Sequence, residues 1–461
     1  MTSNLFPRSA KLIEELQRYV VMEPKPFALD LERCHGSYLV TVEGVELLDL
    51  CGYYGAKLIA HNHPALQEPV YLRELALAAN NKIANPDFLT PQCLAYYRLL
   101  HRIRPRCMAD EPVEIYAVNS GAEAVENMMK YFINLHDAKM TRLCLPVGHR
   151  RFIYFDNAFH GRTVFALNIT RLEHDPVITE DFVGIVPGNI QVPFPALNAD
   201  EPAELAEQRT RRSLAIVAEA LERYRNEVVG IVVEPIQGAG GHRLATPSFY
   251  QGLSNLAHQH EVCLGFDEVQ TAGGQCGAVF AADLFHLPHP PQAISTAKKF
   301  ANGVLYMRYP MDDRGILDST WGGTLADMVR FVREWEVIES EGLLQQVAPK
   351  TEHLLRGLKR LADHFRPLVR NVRGLGLYHG FSVPSAACKA ALMRLALEQE
   401  RLVLLGAGSR HIRFRPTLSI TVGEIDDLLA RLERCFITLQ AAQAWPDDAD
   451  PSASGSLPAP G

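Results

Sequence analysis

Paired cysteines are what this chain most plainly lacks. Its nine cysteines, scattered over 461 residues, are an odd number with no Cys-x-x-Cys among them, so neither a disulfide framework nor a zinc site is indicated. A reducing cytoplasm fits. Also missing is any run of about 18 apolar residues, the length a helix needs to cross a bilayer. The first twenty residues carry Glu14 and Glu15 and no apolar core long enough for a signal peptide. The expectation is a protein that neither spans a membrane nor is exported by an evident signal. Long basic runs and basic-aromatic interleaving are absent too, and the formal charge is -7, which gives no reason to expect nucleic acid. A small molecule remains as the partner.

With 47% hydrophobic and 21% charged residues, the composition is that of a globular protein. The length is too great for one ordinary core and suggests two or three domains. Short apolar runs at Ile115 to Val118, Phe152 to Phe155, Gly230 to Glu234 and Val262 to Asp267 are each followed by a longer amphipathic or Gly-containing segment. That alternation predicts an α/β domain on a mainly parallel sheet. Ligands of such sheets lie at the carboxyl ends of the strands, where Ser120, Phe159, Glu234 and Asp267 fall. Short strands are expected between Phe27 and Leu50, helices from Leu325 to Leu361, strands within Leu368 to Val383, Arg401 to Leu405 and Ile412 to Phe414, and a closing helix from Val422 to about Gln443. The Pro/Ser/Ala/Gly-rich end from Pro446 reads as disordered.

Gly265-Phe266-Asp267-Glu268-Val269-Gln270-Thr271 is the most informative stretch, because a short strand delivers a carboxylate at its end and Lys298-Lys299 follows some thirty residues on. Pyridoxal phosphate needs an acid held against its pyridine nitrogen and a lysine amine to form a Schiff base. Asp267 and one of the two lysines fit those roles. Taken singly, an Asp at a strand end also serves as a helix cap, and a lysine pair also makes a solvated face.

Other segments supply what such a site requires. Asn119-Ser120-Gly121-Ala122 places small residues where a strand turns into a helix, whose free N–H groups and dipole suit a phosphate. Phe159-His160-Gly161-Arg162 offers a ring to stack on a flat coenzyme and a guanidinium to grip a carboxylate at two points. In Ser319-Thr320-Trp321-Gly322-Gly323 a threonine hydroxyl could donate to a phosphate. Arg413-Phe414-Arg415-Pro416 puts two arginines on one face of a strand, with Pro416 leaving Arg415 at its end.

Together these residues resemble the class III (ω-amino) aminotransferases among the fold-type I pyridoxal-phosphate enzymes, from about Phe27 to about Leu432. The likeness is strongest to the lysine 6-aminotransferase branch, through Leu29-Asp30-Leu31-Glu32-Arg33, Glu234-Pro235-Ile236-Gln237-Gly238, Phe266 to Thr271, the lysine pair, Ser319 to Gly323 and Phe414-Arg415-Pro416. The resemblance implies a large, mainly parallel-sheet domain at 66–325. It also implies a smaller α/β domain built from an N-terminal segment at 1–65 and a C-terminal one at 326–443, with a tail at 444–461. It implies phosphate contacts from Gly121 and Ala122, Phe159 stacked on one face of the ring and Val269 packed on the other. Asp267 would pair with the ring nitrogen, Gln270 would approach the ring oxygen, and Lys299 would be the Schiff-base lysine. Thr320 would reach the phosphate of a neighbouring subunit, so a homodimer with shared sites is expected, and Arg162 and Arg415 would bind substrate carboxylates.

The reaction implied is transfer of an amino group from an amino acid, such as a lysine-like ω-amine, to a 2-oxo acid such as 2-oxoglutarate. A mutase or decarboxylase using the same coenzyme, or a non-catalytic sensor or scaffold on the fold, are the alternatives. One departure stands out. Members of that family usually carry a Glu after the Pro-Ile-Gln-Gly stretch, where it neutralises the second arginine while the amine donor is bound; here that residue is Ala239.

Overall fold

The computed structural model describes residues 5–23, 25–176, 186, 188–311 and 314–442; the tail expected to be disordered lies outside them. Its centre is a seven-stranded sheet in the order Ile190–Val192, Arg151–Phe155, Val228–Val233, Cys263–Asp267, Ala293–Thr296, Gly303–Met307, Glu114–Val118. All neighbours are parallel except Gly303–Met307, which runs antiparallel to both of its own. Val228–Val233 is buried at every position, because helices cover both faces of the sheet; its sequence is therefore a continuous apolar run rather than an alternating one. The expected strands and the mainly parallel sheet are borne out.

The helix Gly121–Arg142 leaves the strand Glu114–Val118 through a reciprocal cap. Ser120 Oγ accepts from Glu123 N–H at 3.2 Å while Glu123 Oε2 accepts from Asn119 N–H at 2.7 Å, which satisfies two of the donors a helix start leaves open. The turn between strand and helix is fixed in place.

Two smaller sheets flank the large one. Tyr38–Val40 and Glu46–Asp49 pair antiparallel, and Leu402–Val403 joins them parallel to Glu46–Asp49. Arg370–Leu375, Tyr378–Ser382, His411–Arg413 and Leu405–Ala407 make an antiparallel four-stranded sheet. The run expected as one strand from Arg401 to Leu405 is thus divided at Leu404 between two sheets. The helices Leu325–Ser340, Val347–His364 and Val422–Ala442 occupy the expected stretches. Trp335, Phe381, Phe414 and Phe436, all at most 2% exposed, belong to one apolar cluster with Phe266 of the large sheet. No described helix is long and apolar enough to cross a membrane.

Candidate active site

Segments from the carboxyl ends of the central strands enclose a cavity of about 290 Å³, lined among others by Ser120, Gly121, Ala122, Phe159, Arg162, Asp267, Val269, Gln270 and Lys298. Seven of the expected cofactor-binding residues are therefore brought together by strand ends that are far apart in sequence.

Asp267 terminates its strand and is 5% exposed. Its Oδ1 accepts from the Val269 N–H at 3.0 Å, and Oδ2 meets His160 Nδ1 at 2.7 Å. Burial alone would push the His160 imidazole down, yet the hydrogen bond to Asp267 and its charge outweigh that and leave it raised. His160 is the functional neighbour that sequence reasoning missed. Next to it, Glu234 Oε1 accepts from the Phe159 N–H at 2.9 Å and fixes the loop carrying that ring; burial, foremost, pushes the Glu234 carboxyl up to about 7.

The Ser120 oxygen accepts the cap hydrogen bond, which leaves its O–H free to donate beside the main-chain N–H groups of Gly121 and Ala122 that the helix start offers the cavity. Glycine is needed at the first of these. A Cβ there would stand 2.8 Å from Val269 Cγ1 and 3.3 Å from Ala297 Cβ, filling the space between helix end and strand end. An anion cradle, a buried carboxylate and a lysine amine on one cavity are the groups pyridoxal phosphate requires.

The two lysines of the doublet take different partners. Lys298 lines the cavity, with its backbone in the left-handed region at φ 53° and Nζ donating to Tyr54 O at 3.2 Å. Burial, then the charges of Arg413 and Arg415, push its amine down to about 8. Lys299 is not among the lining residues. Its side chain runs past Gly273, and its Nζ lies 2.6 Å from Gln270 O, 3.1 Å from Gly55 O and 2.9 Å from the Tyr378 hydroxyl. Burial pushes that amine down to about 7. Lys298 follows an extended Ala297, takes the left-handed region and lines the cavity, while Lys299 bonds the carbonyl of the lining residue Gln270.

The two arginines of the Arg413-Phe414-Arg415 stretch are likewise held differently. Arg415, expected to face substrate, is fully buried with its guanidinium over the Tyr378 ring at 4.3 Å. It donates to Phe414 O at 2.9 Å and to His242 Nδ1 at 3.2 Å. Its main-chain N–H bonds Leu50 O at 2.8 Å, which draws the chain inward once the strand has ended at Arg413. Arg413 instead donates from Nη1 to the side-chain oxygen of the cavity residue Gln270 at 3.2 Å, and its buried Nε has no hydrogen-bond partner. Burial, then the charge of Arg415, push Arg413 down to about 9. Ala239 is half-buried, and its carbonyl accepts from the Gly408 N–H at 3.1 Å. Arg162 lines the cavity and is exposed. Thr320 is exposed and does not line the cavity of its own chain.

Fold and cavity define a pyridoxal-phosphate transferase of the α/β type with a large, mainly parallel sheet. Residues 19–436 match the family model described as Aminotransferase class-III, and the chain belongs to that family: it is a pyridoxal-phosphate-dependent aminotransferase. It is similar to the L-lysine-epsilon aminotransferase of Mycobacterium tuberculosis, with 32% identity over 90% of this chain and 93% of that one. It is also similar to the L-lysine-epsilon aminotransferase of Amycolatopsis lactamdurans, with 30% identity over 92% and 95%. Among solved structures, lysine aminotransferase from M. tuberculosis in the internal aldimine form superposes with a TM-score of 0.88 at 29% identity, covering 94% of this chain and 99% of that one.

Proposed function

We propose that this aminotransferase moves an amino group from an amino acid to a 2-oxo acid such as 2-oxoglutarate, with Lys298 as the coenzyme-bearing lysine. The observation that carries this is the sharing of one cavity by Lys298, Asp267 and the amide end of the helix Gly121–Arg142. When bound, the coenzyme supplies an electron sink for the carbon losing its proton. The chain's own groups do the rest. Gly121 and Ala122 N–H would hold the phosphate, and Asp267, hydrogen-bonded to His160, would hold a proton at the ring nitrogen. Phe159 and Val269 would pack on the two faces of the ring, and Gln270 would stand toward the ring oxygen.

Lys298 Nζ would take the proton from the substrate carbon, and a pKa near 8 suits that exchange close to neutrality. The names of similar proteins support an amino acid with a terminal amine as a donor to test.

The reading extends to assembly. The turn at Asn85 is tied to the 319–323 turn by Asn85 Nδ2 donating to Trp321 O at 2.9 Å and Gly323 O at 2.8 Å, and Phe88 and Leu89 beside it are 66% and 83% exposed. Such a patch next to Thr320 supports a homodimer in which Thr320 serves the partner's phosphate. Division into segments 1–65, 66–325 and 326–443 is supported by the three-stranded sheet, which joins the first to the third. Nine free cysteines support a cytoplasmic setting.

Reduction of the holoenzyme with borohydride, followed by peptide mass mapping, tests the assignment. The coenzyme adduct is expected on Lys298; an adduct on Lys299 would overturn it, and none on either would remove the coenzyme reading itself.

A further inference from the structure

A second cavity lies at the other end of the central sheet. It holds about 1410 Å³, against about 290 Å³ for the active-site cavity, and the starts of the strands Val228–Val233 and Cys263–Asp267 form part of its wall. About 13 Å of strand separates Cys263 from Asp267, so the two cavities open at opposite ends of the sheet.

Cations line it from three segments. Lys139 and Arg142 come from the last turn of the helix Gly121–Arg142, Arg225 from the turn before Val228–Val233, and Arg308 from just past the strand Gly303–Met307. The acids in the lining are Glu222 and Glu261. Both of their side chains are 70% exposed, whereas the cations they meet, His260 and Lys139, are 20% and 19% exposed. Positive charge therefore lies at depth and negative charge at the rim. Lys139 is tied to Glu261 at 3.1 Å, and Arg308 to Glu111, outside the lining, at 3.2 Å. Arg142 and Arg225 are exposed, and their side chains make no ion pair or hydrogen bond among the described residues.

Part of this basic character answers the helices themselves. The ends of the helices Gly121–Arg142, Ala203–Arg223 and Pro247–Gln259 border the cavity, and a helix end carries partial negative charge. Lys139, Arg142 and His258 stand in last turns and offset it. Arg225 and Arg308 lie outside every helix and exceed that requirement. The flat surfaces are engaged already: Tyr224 carries the guanidinium of Arg151 at 4.4 Å and that of Arg223 at 5.3 Å, and the rings of His258 and His289 lie on each other at 3.7 Å. Recognition there falls to charge rather than to stacking.

The structure assigns to this second cavity the binding of an oligophosphate, a chain of three or more phosphates, either free or as the tail of a nucleotide, held by Lys139, Arg142, Arg225 and Arg308. A guanidinium grips two phosphate oxygens at once. A chain of phosphates reaches several of these cations together, whereas one inorganic phosphate or carboxylate reaches one or two.

The holoenzyme is titrated with sodium tripolyphosphate in a calorimeter. At about 50 mM salt a Kd of about 100 μM or tighter is expected, weakening about tenfold or more at about 0.5 M salt as the exposed charges are screened. Arg142→Gln/Arg225→Gln, which changes two exposed side chains without partners, should weaken binding about tenfold. Arg356→Gln/Arg360→Gln makes the same change in net charge on another exposed surface and should leave the affinity within about twofold. The coenzyme absorbance should stay constant throughout. Metal-free ATP should bind and adenosine should not, and whichever of ATP and tripolyphosphate binds more tightly identifies the source of the phosphates. No heat from either phosphate compound, or equal affinities in the native protein and the Arg142/Arg225 variant, overturns the inference. Equal losses in the two double variants would reduce it to net charge and overturn it as well, and a change in coenzyme absorbance would do so by placing the anion in the active-site cavity.

Discussion

Replacing Lys299 with methionine separates the two lysines by stability as well as by chemistry. Lys299 is 1% exposed, and its Nζ has three partners: two carbonyls and a hydroxyl. A neutral amine matches that set, donating to Gly55 O and Gln270 O and accepting from the Tyr378 hydroxyl. Burial lowers its pKa from 10.5 to about 7. Between those values the unfolded chain binds a proton that the folded chain has released, so stability rises with pH.

From pH 7 to pH 9 this one group should add about 2 kcal/mol to the stability of the native protein, at about 1.36 kcal/mol per unit with partial titration at each end. Methionine removes that slope. It also leaves three polar groups unsatisfied, at about 1–3 kcal/mol each, which roughly offsets the relieved desolvation at pH 7 and no longer does at pH 9. The expected outcome is a variant near native stability at pH 7 that falls behind by about 2 kcal/mol at pH 9, read from urea unfolding of both proteins. It should still show a borohydride-trapped adduct on Lys298. A stability difference independent of pH would refute the buried-amine argument, and loss of the adduct would refute the division of labour.

Asp267→Asn keeps the shape and removes the charge, so kcat should fall about 10²–10³-fold, some 3–4 kcal/mol; a near-native rate at saturating coenzyme would contradict the role. The same variant should lose the stability that the raised His160 pKa contributes, present below about 6.5 and lost as pH rises through the raised value. Gly121→Ala should weaken coenzyme binding through overpacking against Val269 worth about 1–3 kcal/mol, and Val269→Ala in the same chain should restore it. Sedimentation of the holoenzyme should show at least a dimer, and Thr320→Val should lower coenzyme affinity about 5–10-fold, the loss of one hydrogen bond; an active monomer would exclude the shared site.

Much of the site was legible because strand ends are legible. An apolar run that stops at Val118 or Phe266 announces where a loop enters the cavity, and Gly121, Phe159 and Asp267 were readable on that basis. A choice within a doublet is harder to read, because it depends on backbone angles that residue types do not encode. Lys298 lines the cavity with a left-handed φ of 53°, for which a lysine has no glycine-like preference. Arg413 and Arg415 would share a face on a continuing strand, but the strand ends at Arg413 and the Leu50 carbonyl takes Arg415 elsewhere. His160 stood in a quoted motif without a role, since nothing local links it to an aspartate 107 residues away.

The parallel pairing of Leu402–Val403 with Glu46–Asp49 has a consequence for the ribosome. Roughly 350 residues separate the two strands, so at about 5–20 residues per second the strand Glu46–Asp49 waits some 20–70 s for its second neighbour. Throughout that interval its buried Leu47 and Leu48 lie on an open edge, the kind that pairs with the wrong chain. Synthesis rate and chaperone supply, rather than the stability of the finished protein, should then govern how much of it is recovered in folded form.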